Sequence, residues 1–181
     1  MSDLILNNQK SLLQTDTMHQ ELVEVSNRVY TPLGFKCSQP AIEPESAEYC
    51  AYSFELNNFS VRFRVAKITP TKIGQFVTVW KRLKKGPIQP YDSTDSLDFF
   101  IINTRKEDRF GQFIFPKSVL CQHDVLSING EGGKRAIRVY PPWDVAVNKQ
   151  AKKTQKWQLE YFLEIPKNSE IDLTRAKFLY R

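Results

Sequence analysis

The sequence predicts an α+β fold: a helical segment over about residues 4–30, a central mixed or antiparallel sheet over about 48–140, and closing helices over about 148–181. Two observations predict it. Apolar residues recur at helical spacing up to Tyr30, the period changes to two soon after, and it returns to helical spacing beyond Asn148. With 181 residues, 41% of them hydrophobic, and no Gly/Ser-rich or Pro-rich spacer, the chain is expected to bury one sizeable core as a single domain, 1–181.

The elements follow in order. Ile5, Leu12, Leu13, Leu22, Val25 and Val29 share a helical pattern that Pro32 and Gly34 end. The segment "CSQPAIEPESAE" reads as an irregular acidic connection. Two strands, about 48–56 and 59–68, are joined by an Asn57-Asn58 turn. "GQFVTVWKRL" supplies a third strand; "LDFFIINTR" and "RFGQFIFPK", joined by "KED", supply a fourth and fifth. "KSVLCQHDVLS" is short enough to be helical or irregular, "GEGGKR" is a glycine-bearing turn, and "RAIRVYPP" gives a sixth strand. Asn148 is the expected N-cap of a helix running to about Glu164, and "SEIDLTRAKFLYR" closes with a short one.

The charge is uneven. The net charge is +6 and the pI near 9.2, but residues 1–59 carry three basic groups against eight acidic ones, and the excess lies downstream. Residues 62–85 hold eight cations and no carboxylate; residues 134–156 hold seven cations and one, Asp144. A polyanion is the natural partner. Strand parity places Lys67 at the end of the row Phe59, Val61, Phe63, Val65, where it either snorkels to water or is held at a site. Arg62 and Arg64 face the other way. In the turn "ITPTK", Thr69, Thr71 and Lys72 either close the turn or suit phosphate oxygens. "GGKRAIRVYPPWD" combines Arg135 and Arg138 with the aromatic surfaces of Tyr140 and Trp143, the mixture used on nucleic-acid strands, although Tyr and Trp also cap cores. The helix beginning "NKQAKKTQKWQ" is basic over its first two turns, with Lys152 and Lys156 among its cations.

Several classes are excluded. Three cysteines without CxxC spacing signal neither a disulfide framework nor a zinc site, and fit a reducing cytoplasm. No basic-then-apolar leader and no run of about 18 apolar residues occurs, so no export and no membrane insertion are expected. His19 and His123 make neither a zinc set nor a triad, and "GEGGK" lacks the P-loop spacing.

Taken together, "FRVAKITPTKIGQFVTVWKR", "GQFIFPKSVL", "KRAIRVYPPWD" and "NKQAKKTQKWQ" resemble the MepB family, named for its gene's place in a bacterial multidrug-efflux operon. The resemblance implies a bacterial cytoplasmic protein with a core similar to that of PD-(D/E)xK restriction endonucleases, and one that binds DNA. Such nucleases set an acid on one strand and an acid-x-Lys triplet on the next, so that two carboxylates hold Mg²⁺. Here Glu55 precedes Val65-x-Lys67, and Asp98 precedes Phe115-x-Lys117; the acid of the triplet is missing in both frames. Asp92, Asp95 or Asp144 remain to complete a site in three dimensions. The leading expectation is therefore nucleic-acid binding, DNA first, without a resident cofactor or metal. Lys67, Lys72, Arg82, Arg135, Arg138, Lys152 and Lys156 would neutralise phosphates, with Tyr140 and Trp143 stacking on bases. The alternatives are an Mg²⁺- or Mn²⁺-dependent nuclease using Lys67, Glu55 and Asp98, and a binder of a small phosphorylated ligand.

Overall fold

A computed structural model describes residues 19–181. The strands, in chain order, are β1 (Ala41–Ile42), β2 (Tyr52–Leu56), β3 (Phe59–Val65), β4 (Lys67–Ile68), β5 (Gln75–Thr78) and β6 (Trp80–Arg82). They continue with β7 (Ile88–Pro90), β8 (Phe99–Lys106), β9 (Arg109–Pro116), β10 (Ala136–Val139) and β11 (Phe162–Glu164). The helices are α1 (Gln20–Val25), α2 (Lys117–Gln122), α3 (Lys149–Gln158) and α4 (Leu173–Leu179). The strands form a six-stranded sheet in the order β1-β2-β3-β8-β9-β11, a three-stranded sheet β10-β5-β4 and a ribbon β6-β7. The large sheet is mixed, because β3 and β8 are parallel while its other pairs are antiparallel. The expected α+β class holds.

The large sheet is covered on both faces. Along β8, Phe99 and Ile101 enter one apolar cluster with α1 and α4, while Phe100 and Ile102 enter the other with Val77, Leu120 and Val139. Side chains alternate across a strand, so a continuous apolar run such as "FFII" feeds two cores at once. The Asn57-Asn58 turn closes β2 onto β3 with both residues at positive φ, 51° and 70°, the geometry that asparagine tolerates in a two-residue hairpin. The β8–β9 hairpin turns at Glu107-Asp108, as the polar "KED" predicts.

Four expectations need correction. The strand over 59–68 is two: Ala66 still donates its N–H to the Asn103 carbonyl beside β3, and Lys67 then leaves to pair with β5 in the second sheet. The strand in "GQFVTVWKRL" breaks at Val79, where β5 ends and β6 pairs with β7 instead. Residues 44–49 form 3-10 turns, so β2 starts at Tyr52 rather than near residue 48. The Asn148 helix stops at Gln158, and Phe162–Glu164 becomes an edge strand on β9, with Phe162 opposite Phe113. Gly111 makes room for it: a Cβ there would collide with the Phe162 ring. The part of the first helical pattern holding Ile5, Leu12 and Leu13 lies outside the described residues.

Candidate functional site

The smaller sheet gathers the basic residues. Its register sets Lys67 of β4 and Arg138 of β10 on either side of Phe76, in one cross-strand row. Lys67 lies over the Tyr49 ring at 4.7 Å and Arg138 over the Phe76 ring at 5.7 Å, while the two rings approach to 6.1 Å. Arg138 is also a brace: its guanidinium donates to the Gly74 carbonyl (3.1 Å) and the Thr69 hydroxyl (2.9 Å), fixing the turn that carries Lys72. Tyr140 closes on the same turn, since a Cβ on Gly74, at φ +82°, would sit 2.6 Å from its ring. Arg138 and Tyr140 thus shape the site more than the sequence implies, and Arg135 remains an exposed cation at the entry to β10.

Helix α3 lies along the free edge of β10. Gln158, 1% exposed, accepts from the Tyr140 N–H and donates to the Arg138 carbonyl, so its amide acts as a short piece of strand. Gln155 donates towards the carbonyls of Tyr140, Pro141 and Asp144, the last at 2.7 Å. These two glutamines position the helix, and sequence reading missed them because an amide in a helix carries no signal of its partner. Ala151 and Gln158 face inward, so the residues spaced i, i+3, i+4, i+7 on the opposite side, Lys149, Lys152, Lys153 and Lys156, form one exposed stripe. Asn148 caps the helix by accepting from the Ala151 N–H at 2.7 Å, and no acid occupies the first turn. Cations at a helix N-terminus oppose the backbone dipole and cost a few tenths of a kcal/mol each, roughly. Both charge sources there are positive.

The other basic region is largely neutralised. The acidic connection folds back onto it: Glu43 pairs with Arg62 (3.1 Å) and Arg64 (2.6 Å), Glu45 with Arg82 (3.1 Å) and Glu48 with Lys67 (3.5 Å). Lys81 pairs with Asp95. By contrast, Lys72, Lys134, Arg135, Arg138 and the four lysines of α3 pair with no carboxylate among the described residues.

The proposed nuclease residues are not brought together. Glu55 lies opposite Ser60 at the start of β3, and Asp98 accepts from the Ser60 N–H at 2.8 Å, whereas Lys67 lies beyond the far end of that strand. Seven residues of strand separate Ser60 from Lys67, roughly 23 Å at the usual rise. Lys117 donates instead to the Asp95 carbonyl, at 2.6 Å. Asp92 is held well below the usual carboxylate range by hydrogen bonds, first from the Gly130 N–H, then from Ser127 and Thr94. Asp144 faces Lys106 at 3.5 Å. No cluster of three or more His, Cys, Asp or Glu side chains able to hold a metal occurs among the described residues. His19 caps α1, and all three cysteines are free. No helix among the described residues is long and apolar enough to cross a membrane.

Fold and site define a mixed α+β protein with a lysine-striped helix set against a small second sheet. Residues 43–164 match the MepB-like family, and the chain belongs to it. The crystal structure of MepB is similar, with a TM-score of 0.70 and 32% identity, covering 84% of this chain and 100% of that one. A bacterial homing endonuclease, I-Ssp6803I, aligns with a TM-score of 0.45 and 14% identity over 81% of this chain and 90% of that one. No curated protein matches the chain.

Proposed function

We propose that this protein binds nucleic acid, DNA first, on a restriction-endonuclease-like scaffold in the bacterial cytoplasm, and that it holds the phosphate backbone without cutting it. The observation that carries the reading is the α3 stripe. Four lysines on one exposed face, three of them in the first turns at the positive end of the helix and Lys156 in its last turn, with no carboxylate partner among the described residues, make a linear array of charge that matches a row of phosphates. Lys134, which lines a cleft together with Thr154 and Trp157 of α3, extends it, with the exposed Arg135 next in sequence, and Lys72 stands on the turn between β4 and β5. Backbone contacts of this kind position a protein on a strand and read no sequence.

The test is fluorescence anisotropy of labelled single- and double-stranded oligonucleotides, without divalent metal. A face bridging roughly six phosphates loses about three orders of magnitude in affinity between about 50 and 200 mM salt. Lys152→Glu with Lys156→Glu is expected to weaken binding to all sequences alike. Absence of binding at the lower salt would overturn the proposal.

A further inference from the structure

A cleft of about 410 Å³ lies between the 68–74 turn and the chain that leads into α3. One part of its lining is anionic in preference: the Lys72 and Lys106 ammonium groups and the Thr71 hydroxyl. The other part is apolar and partly aromatic, supplied by Ile68, Trp143 and Val145. Ile68 is 58% exposed and Val145 76%, so apolar surface is left open to water beside two lysines. The turn wall is rigid, since Arg138 braces Thr69 and Gly74 from behind. Val145 is three residues from the Asn148 cap, so the lysine stripe of α3 begins where the cleft ends.

A ligand that satisfies both parts needs a doubly charged anion joined to a flat ring that can lay a face against apolar and aromatic side chains. We infer that the cleft binds a nucleoside monophosphate, with the phosphate on Lys72, Lys106 and Thr71 and the base against Trp143, Ile68 and Val145. The volume falls within the range of small-molecule sites, roughly 300–1,000 Å³. The phosphate carries about −1.5 to −2 at neutral pH, which Lys72 meets directly and Lys106 by exchanging Asp144 for the phosphate. Asp144, 8% exposed and loosely paired to Lys106 at 3.5 Å, lowers the net charge of the cleft and weakens its hold on any anion alike, so the apolar wall has to supply the preference for the monophosphate over inorganic phosphate. The same chemistry is presented by a free nucleotide and by the phosphorylated end of a strand running along α3. The strand-end source rests on the nucleic-acid reading above; the free nucleotide does not.

The experiment titrates the full chain with adenosine monophosphate, adenosine and inorganic phosphate by calorimetry, then compares 5′-phosphorylated with 5′-hydroxyl oligonucleotides. The monophosphate should bind at least about tenfold more tightly than either fragment, and Lys72→Ala or Val145→Asp should each remove about that factor. Both side chains are exposed, so neither change endangers the fold. A 5′-phosphate advantage that Val145→Asp abolishes assigns the site to strand ends; monophosphate binding without that advantage assigns it to free nucleotide. Monophosphate binding no tighter than phosphate, or unmoved by both substitutions, overturns the inference. The two readings fail separately. Oligonucleotide binding without monophosphate binding sinks the cleft alone, and monophosphate binding without oligonucleotide binding sinks the lysine stripe alone.

Discussion

Arg64 is 1% exposed and the largest fully buried side chain among the described residues. Its guanidinium meets Glu43 at 2.6 Å, donates to the Phe63 carbonyl at 2.9 Å and lies 5.3 Å from the centre of the Phe100 ring, yet its Nε has no partner. A buried cation of this kind depends on its counter-charge: removing one partner of such a pair costs several kcal/mol, while replacing the cation by an apolar side chain of similar volume is often neutral. Glu43→Ala is therefore expected to lower stability by about 3 kcal/mol, and Arg64→Met to leave it within about 1 kcal/mol, both read from urea unfolding midpoints. Equal losses in the two variants would mean that Arg64 packs rather than pairs. Strand parity assigned Arg64 correctly to the face opposite Phe63. The alternation gave no sign that this face is also covered, because an arginine in a strand marks solvent unless its carboxylate is known, and Glu43 lies far off in sequence.

At the scale of elements, period and turn chemistry were legible, and strand breaks were not. Asn57-Asn58, "KED" and the Asn148 cap each act within a few residues, so local rules suffice. The steps at Ala66 and Val79 occur inside unbroken alternation, and only competition between sheets for the same backbone decides them. "LEYFLEI" reads as the end of the Asn148 helix, and the space over Gly111 selects an edge strand instead. Helix α3 offers a test of the site from within. His123, just after α2, stacks on Trp157 at 3.9 Å and 8° between planes. Burial, then the Lys134 and Lys153 charges, lower its pKa, while Glu160 raises it. Because the folded-state pKa is depressed, the stability this neutral imidazole contributes is present above about pH 6.5, the usual histidine value, and is lost as pH falls through the lower folded value. Phosphates seated on Lys134 and Lys153 would cancel part of the lowering field. The His123 resonance, followed by NMR titration, should thus show a higher pKa in the oligonucleotide complex than in the free protein. An unmoved pKa removes those two lysines from the path.

Across the whole molecule, the charge imbalance that the sequence displays is reshaped by the fold. The acidic N-terminal part does not stand apart from the basic remainder: three glutamates from residues 43–48 cover four cations of β3, β4 and β6, with Ser46 and Tyr49 buried as anchors. Counting charges in a window cannot register this, since Glu45 and Arg82 are 37 positions apart. Among the described residues, the cations of α3 and β10 stay without a carboxylate partner, as do Lys72, Lys84 and Lys85. The covered cations are not all equally committed. Arg64 is sealed, but the Lys67 and Glu48 side chains are 45% and 70% exposed, and those of Arg82 and Glu45 34% and 49%. Exposed pairs are worth about 0–1 kcal/mol, little enough for a phosphate to displace the carboxylate. Glu45→Gln with Glu48→Gln should therefore free Lys67 and Arg82 without disturbing Glu43, tighten oligonucleotide binding by up to about tenfold at low salt, and steepen the salt dependence. If each freed cation neutralises one phosphate, the slope of log affinity against log salt grows by about 1.8 in magnitude. An unchanged slope would place Lys67 and Arg82 off the strand's route and confine the interface to α3 and β10. A steeper slope would make the acidic segment an internal competitor that limits how much of the basic surface a nucleic acid can occupy.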